Sequence, residues 1–361
     1  MAKFHSLKIK DVRRETADCV SIAFEIPEEL KSEFQYKQGQ YITLRREFNG
    51  EELRRSYSAC SSPVADSDLR IAVKEVEDGR MSRYLNNGIE AGQELEVMKP
   101  MGNFYTEMPA SSPKHYVAFA AGSGITPILS LLKTALVVSP ENKFTLFYGN
   151  KSTADIIFKE ELDSLEAKYD GRLQVMHLLS REETKDPIFN GRMSADKCSE
   201  LMERFADTQK ADEYFICGPY DMINSINESL TARGIAKENI HFELFTTPPP
   251  ETEETENISN KEAANTPVAE SKVMVVLDGE ETEITVTSSD NILDAVLDAG
   301  LDAPYACTGG SCCTCRAKVM EGSAVMDVNY ALTDKEVEQG YILTCQSHPT
   351  TAKMVVDYDE P

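Results

Sequence analysis

The feature that most constrains this chain is the run Cys307-Thr-Gly-Gly-Ser-Cys312-Cys313-Thr-Cys315, with a solitary Cys345 further on. The spacing C-x4-C-x2-C plus a distant fourth cysteine is that of a [2Fe–2S] ligand set. Two irons need four thiolates, three from one loop and one from elsewhere. Gly309 and Gly310 let such a loop curl, so that its N–H groups can turn toward the sulfurs and help set the potential. A zinc site is the competing reading. Zinc modules pair two short Cys or His units, whereas here there is one such unit and Cys345 stands alone. Cys313 falls out of register and reads as a small residue packed beside the cluster. The metal ligands expected are therefore Cys307, Cys312, Cys315 and Cys345.

The chain has nine cysteines, an odd number, and MAKFHSLKIKDVRRE at its start carries no apolar run with a cleavage site. A metal site in a reducing, cytoplasmic compartment fits better than a disulfide framework. The apolar stretch Tyr116 to Val138 is broken by Gly122, Ser123, Gly124, Pro127 and Lys133. It reads as strand, turn and helix, so no membrane span is expected. A formal net charge of −24 over 361 residues argues against nucleic-acid or anionic-membrane binding and favours basic protein partners.

Residues 246–270 contain three consecutive prolines, six glutamates, one lysine and no aromatic residue. Such a segment buries too little apolar area to offset its ordering entropy, so a mobile acidic linker is expected there. Before it, residues 1–108 hold six short strand-like runs separated by turn signals, and one short helix at Met81–Asn87. This pattern predicts an antiparallel β-barrel. Residues 109–245 alternate five buried strand runs with helical runs near 127–138, 158–169, 194–204 and 220–233, which predicts an α/β domain with a parallel sheet. Residues 271–361 open with a hairpin around Asp278-Gly279 and a helix at Asn291–Ala299 stopped by Gly300. Thr333 and Glu336 resemble a capping box. This last region carries 16 Asp/Glu against 5 Lys/Arg, with Asp290, Asp294, Asp298 and Asp302 at four-residue spacing. That row is either a solvated helix face or a docking surface that speeds association with a basic partner.

Four further motifs carry chemistry. Arg54-Arg55-Ser56-Tyr57-Ser58 offers a guanidinium suited to a phosphate. Gly79-Arg80-Met81-Ser82 opens the short helix, placing a hydroxyl and free N–H groups at a positive helix end. Gly122-Ser-Gly124-Ile-Thr126-Pro127 follows an apolar strand, and its glycines let a cofactor approach the backbone. Cys217-Gly218-Pro219 follows another strand. Taken singly each is weak. Arg54 and Arg55 also suit a solvated strand, and the glycine run is not the dinucleotide fingerprint G-x-G-x-x-G.

In this order and spacing, R-x-Y-S, G-x-x-S, G-x-G-x-T-P and C-G-P together resemble the ferredoxin–NADP reductase superfamily over residues 1–245. Residues 271–361 resemble a plant-type ferredoxin, an α+β β-grasp fold. The order of modules, with FHSLKI, GEELRRSYSAC, FYGN, EYFICGP and PYACTGGSCCTCRAKV, is most similar to the reductase subunits of ring-1,2-phenylacetyl-CoA epoxidases. Similar reductases serve other bacterial oxygenases.

The resemblance implies FAD, a [2Fe–2S] cluster and NADPH (or NADH) as cofactors, and an oxygenase as protein partner. Arg55 would pair with a flavin phosphate, Tyr57 would pack on the isoalloxazine, and Ser58 would bond near its N5. Gly79, Met81 and Ser82 would bind the pyrophosphate. That favours FAD, although phthalate-type reductases of the same module order use FMN. Gly122, Gly124, Thr126, Cys217 and Gly218 would line the nicotinamide path. Glu243 would sit beside the reacting ring and Phe245 would cover it, or pack into a core. Ser180 and Arg181 would hold an adenosine 2′-phosphate, or Arg181 would simply be solvated. An iron–sulfur sensor with a relic reductase half is a reading of another class.

Overall fold

A computed structural model describes residues 3–245 and 267–360. Most of the expected linker therefore lies outside the described residues. The first six strands are β1 (Phe4–Thr16), β2 (Cys19–Glu25), β3 (Tyr41–Phe48), β4 (Glu51–Ser58), β5 (Leu69–Lys74) and β6 (Glu94–Met98), with α1 (Arg80–Asn87) between the last two. They form an antiparallel sheet of order β4-β3-β6-β1-β2-β5. A bridge between Ala59 and Ile71 joins its two edges, as a barrel requires. Alternate residues such as Leu7, Ile22, Ile42, Ile71 and Val97 fill the interior. Strand β1 is longer than its sequence suggests. Register shifts at Ile9/Asp11 and Arg14/Thr16 absorb the charged run KDVRRE that breaks its alternation.

The next five strands are β7 (His115–Ala121), β8 (Lys143–Asn150), β9 (Leu173–Leu179), β10 (Glu213–Gly218) and β11 (Ile240–Leu244). They pair in parallel in the order β11-β10-β7-β8-β9. Helices α2 (Ile125–Val138), α3 (Lys159–Lys168), α4 (Ala195–Arg204) and α5 (Tyr220–Ala232) cover both faces. The face under α2 and α3 is packed by Ile128, Leu132, Leu146 and Leu162. The face under α4 and α5 is packed by Phe119, Phe147, Leu201 and Ile226. Helix α2 is also the seam with the barrel. Ser130 Oγ donates to the Ser61 carbonyl, and Thr134 Oγ1 lies 2.8 Å from Ser62 Oγ.

The C-terminal unit holds β12 (Glu270–Leu277), β13 (Glu280–Thr287), α6 (Ile292–Asp298), β14 (Arg316–Glu321), β15 (Ala324–Met326), α7 (Asp334–Glu338), β16 (Tyr341–Leu343), β17 (Ser347–Pro349) and β18 (Lys353–Asp357). The main sheet is mixed, ordered β13-β12-β18-β14-β16. Strands β12 and β18 run parallel, and the other neighbours in it antiparallel. Asp278 and Gly279 both have positive φ, the twist that a two-residue hairpin needs. Gly300 ends α6 at φ 81°. The Thr333–Glu336 capping box is present in both directions.

Phe119 sits at the centre of the parallel sheet, stacked on Phe147 with centroids 5.1 Å apart. It is fully buried. Phe119→Ala should cost about 3–5 kcal/mol, as a large core truncation does, read as a lower denaturant midpoint.

Candidate functional site

Three of the expected cluster ligands lie on the continuous loop between α6 and β14, and the fourth lies in a short turn, Thr344–Gln346. The thiols are free and fall into two hydrogen-bonded pairs, Cys307 with Cys312 and Cys315 with Cys345. Among the described residues, no three His, Cys, Asp or Glu converge on a single-ion site. Two thiol pairs suit two irons better than one tetrahedral zinc ion. The loop backbone serves the sulfurs: Gly309 N–H donates to Cys307 Sγ at 3.4 Å, and the Gly310 N–H reaches Cys345. The bond from Cys312, helped by that of Gly309, lowers the Cys307 thiol despite burial, while Cys312 is pushed up in return. Gly310 has φ 73°, and a Cβ there would lie 2.9 Å from Val328. The donor set thus fits a binuclear cluster. Cys313 belongs to neither pair, its sulfur lying 3.3 Å from Tyr41 Oη.

Tyr57 and Ser58 end β4 at the edge of the barrel. Alternation puts Arg54, Ser56 and Ser58 on one face of the strand and Arg55 and Tyr57 on the other. Ser58 Oγ donates to Glu243 Oε2 at 3.0 Å, so strands 185 residues apart in sequence meet here. Glu243 in turn sits opposite Cys217 in the β10–β11 register. Glu243 is half-buried as a residue, but its carboxyl end is enclosed. Burial raises it to about 8, against the Ser58 bond, which pulls it down. Burial, with Glu243 nearby, also keeps the Cys217 thiol protonated at neutral pH. Tyr57 is half-buried against the barrel core, and burial raises its phenol. Arg55 is exposed, with one Nη on the Arg54 carbonyl.

The turn before α1 is closed by Ser82, whose Oγ donates to the Gly79 carbonyl and accepts from Val76 N–H. A Cβ on Gly79 would lie 2.4 Å from Ser82 Oγ and from Val76 Cγ2, so a larger residue there would displace the serine that closes the turn. Met81 is buried. Across the parallel sheet, the glycine turn and the Cys217-Gly218 strand end touch: a Cβ on Gly124 would fall 2.1 Å from the Cys217 carbonyl oxygen. Gly122 has φ 53° and open space where a Cβ would be. Its carbonyl accepts from Tyr148 Oη. Thr126 Oγ1 donates to the Ser123 carbonyl. Such an open, side-chain-free turn at the carboxyl ends of β7 and β10 fits a dinucleotide. Ser180 and Arg181 follow β9, fixed through backbone bonds to Asn150 and Lys151, and Arg181 is exposed. Phe245 is 41% exposed, so the core-packing reading of it falls away.

Sequence reasoning passed over two residues. Arg54, read with Arg55 as suiting either a phosphate or a solvated strand, is 4% exposed and faces Asp302, Ala303 and Tyr305 of the C-terminal unit. Tyr41 is buried against Cys313 and Thr314. The only available signals were the Arg54-Arg55 doublet and the pairing of Asp302 with an aromatic at Tyr305. Neither has a meaning until the two ends of the chain are brought together. Asp302 is thereby engaged with the barrel, whereas Asp294 of the same acidic row bonds Asn291 at the start of its own helix.

The chain matches the family "Oxidoreductase FAD-binding domain" over residues 6–105, "Oxidoreductase NAD-binding domain" over 119–228, and "2Fe-2S iron-sulfur cluster binding domain" over 275–350. It is 40% identical to one component of the 1,2-phenylacetyl-CoA epoxidase of Escherichia coli (strain K12), covering 99% of each chain. It is 34% identical to the ferredoxin reductase component of 3-ketosteroid-9-alpha-monooxygenase of Rhodococcus rhodochrous, covering 98% of this chain and 96% of the relative. Among solved structures, it resembles phthalate dioxygenase reductase at TM-score 0.59 and 22% identity, covering 98% of both chains. It also resembles an intact type IV self-sufficient cytochrome P450 monooxygenase at TM-score 0.70 and 20% identity, over 98% of this chain and 41% of that one. These two likenesses are of fold.

Glu243 makes stability depend on pH in a defined direction. Between its ordinary 4.5 and about 8, the native state holds a proton that the unfolded state has lost, so stability falls as pH rises through that window. Glu243→Gln should make the fall in urea midpoint between about pH 5.5 and 8.5 shallower; an identical slope would show that the carboxyl is not enclosed. In the cluster loop, Cys313→Ser should retain iron and visible absorption, whereas Cys345→Ser should lose both.

Proposed function

The chain belongs to the family of oxygenase-system reductases that join FAD-binding, NAD-binding and 2Fe–2S domains, and from that premise we propose that it oxidises NADPH and supplies single electrons to an oxygenase, foremost a phenylacetyl-CoA epoxidase. The observation that carries this reading is the Ser58–Glu243 bond beside Cys217. It places the ends of the barrel and of the parallel sheet around one point. When bound, the flavin and the cluster supply the redox chemistry, hydride acceptance followed by one-electron delivery. The protein positions.

Arg55, exposed at the strand edge, is placed for a flavin phosphate. Gly79 to Ser82 offer a tight, preformed turn for the pyrophosphate. Tyr57 presents an aromatic face and Ser58 a hydroxyl beside Glu243, whose carboxyl is neutral or charged according to pH near 8. Gly122 leaves the backbone open for the nicotinamide, while Gly124, Thr126 and Gly218 shape the tight turn and strand end that present it. Phe245, exposed at the end of β11, is free to cover the flavin. The exposed Arg181 supports NADPH over NADH, since a guanidinium suits a 2′-phosphate. Cys307, Cys312, Cys315 and Cys345 would hold the cluster. Asp290, Asp294 and Asp298 offer an acidic surface to a basic partner.

The likeness to the whole length of an epoxidase component favours that partner. A monooxygenase of the ketosteroid or glycine betaine kind is the second reading, favoured by full-length likeness to those reductases. Reconstitution with each purified oxygenase would separate them.

Anaerobic titration with NADPH should bleach both flavin and iron–sulfur absorption. A sensor with a relic reductase half would leave both unchanged. Arg181→Ala should lower kcat/KM for NADPH by about tenfold, the loss of one charged phosphate contact, and leave NADH turnover alone. Equal effects on both nucleotides would remove Arg181 from the 2′-phosphate.

A further inference from the structure

The loop of residues 299–315 has no helix or strand of its own, yet it carries three cluster ligands. Its path over the barrel is fixed at two points, both supplied by the β3–β4 hairpin. At its end, Cys313 N–H donates to Tyr41 Oη at 3.1 Å, and the same phenol lies 3.1 Å from Thr314 Oγ1. At its start, Arg54 Nη2 donates to Asp302 Oδ1 at 2.6 Å and Nη1 to the Ala303 carbonyl at 3.1 Å. The guanidinium carbon stands 4.2 Å from the centre of the Tyr305 ring. Its Nε is held by Glu52 at 2.7 Å.

The two points differ from the other bonds that join the C-terminal unit to the rest of the chain. Lys237–Asp334 is exposed on both sides and is of the class that contributes little. Asn103 reaches a Glu336 that already has other partners. Arg54 is almost wholly enclosed, and three of its nitrogens are satisfied in a geometry only a planar fork provides. Removing one partner of such a buried pair leaves an uncompensated charge.

The strand geometry links this contact to the redox site. Tyr41 is the cross-strand partner of Ser58, so the two side chains stand next to each other on one face. Arg54 lies on that same face, four residues and about 14 Å along β4 from Ser58. One rigid strand thus carries the serine expected at the flavin and the arginine that pins the cluster loop.

We infer that Arg54 is a positioning residue for electron transfer: it latches the Asp302–Tyr305 segment to the barrel and so holds the cluster loop over Tyr41, beside the flavin site. The inference rests on the flavin and cluster assignments of the proposed function. The step served moves one electron from the reduced flavin to a ferric iron of the cluster, with no bond made or broken. Arg54 contacts neither group.

The test uses the holoprotein, by stopped-flow absorption after mixing with NADPH and by hydrogen exchange of the resting protein. In Arg54→Met, flavin reduction should keep its rate while cluster reduction slows at least about tenfold, as the docked population falls. The amides of residues 302–314 should exchange faster. Arg54→Lys should be nearly as slow, since an ammonium cannot make the fork. Asp302→Asn, which leaves the barrel untouched, should reproduce the defect, and Arg54→Met/Asp302→Asn should be no slower than Arg54→Met. Cluster reduction and loop exchange at wild-type rates in Arg54→Met or Asp302→Asn would overturn the latch. A wild-type flavin that NADPH does not reduce would instead overturn the function on which it rests; the exchange measurement reads the latch either way.

Discussion

The contact on which the arrangement depends is the burial of Tyr41 between the barrel and the cluster loop. Its ring belongs to the apolar core of the C-terminal unit although its strand belongs to the barrel. Its hydroxyl is paired with the loop backbone and with Thr314. Burial and the neighbouring Cys313 hold the phenol protonated. A polar tip that is satisfied and a ring that is dry make a contact both specific and cohesive. The Ser58 end of β4, the ligand loop and the β10–β11 edge are all arranged around it.

A second meeting point is Ser58 with Glu243. Strands from two different sheets end within hydrogen-bond reach, which encloses a carboxyl and moves its titration toward neutral pH. The enclosure also explains why Cys217 stays a thiol. The GSG turn is pressed so tightly on the Cys217 carbonyl that only glycine fits at 124. Motifs that look weak one at a time are therefore parts of one contact set.

Much of this was legible before the chain was folded. Strands with clean alternation or long apolar runs, such as Cys19–Glu25 and His115–Ala121, were readable from pattern alone, as were the Asp278-Gly279 hairpin and the capping box at Thr333. Strands β14 to β18 were not, because three of them have only three residues and no period can be counted over so short a run. The cysteine ligands were legible because their spacing is local. Arg54 was not, since its partners lie 248 and 249 positions away and a charged residue on a strand reads as solvated until its neighbour is known. The same holds for Asp302, grouped by spacing with an acidic helix face it leaves.

Glu336 shows how such a molecule can come apart without unravelling. Its carboxylate closes the cap of α7 through Thr333 and binds Arg316 within the C-terminal unit, while also accepting from Asn103 of the barrel. Separation of the units removes only the last of these. The cap and the internal ion pair remain. What separation takes from the C-terminal unit is Tyr41, which leaves its apolar core and lets go of the loop backbone at Cys313, so the cluster loop is the one part of that unit whose shape is borrowed from the barrel.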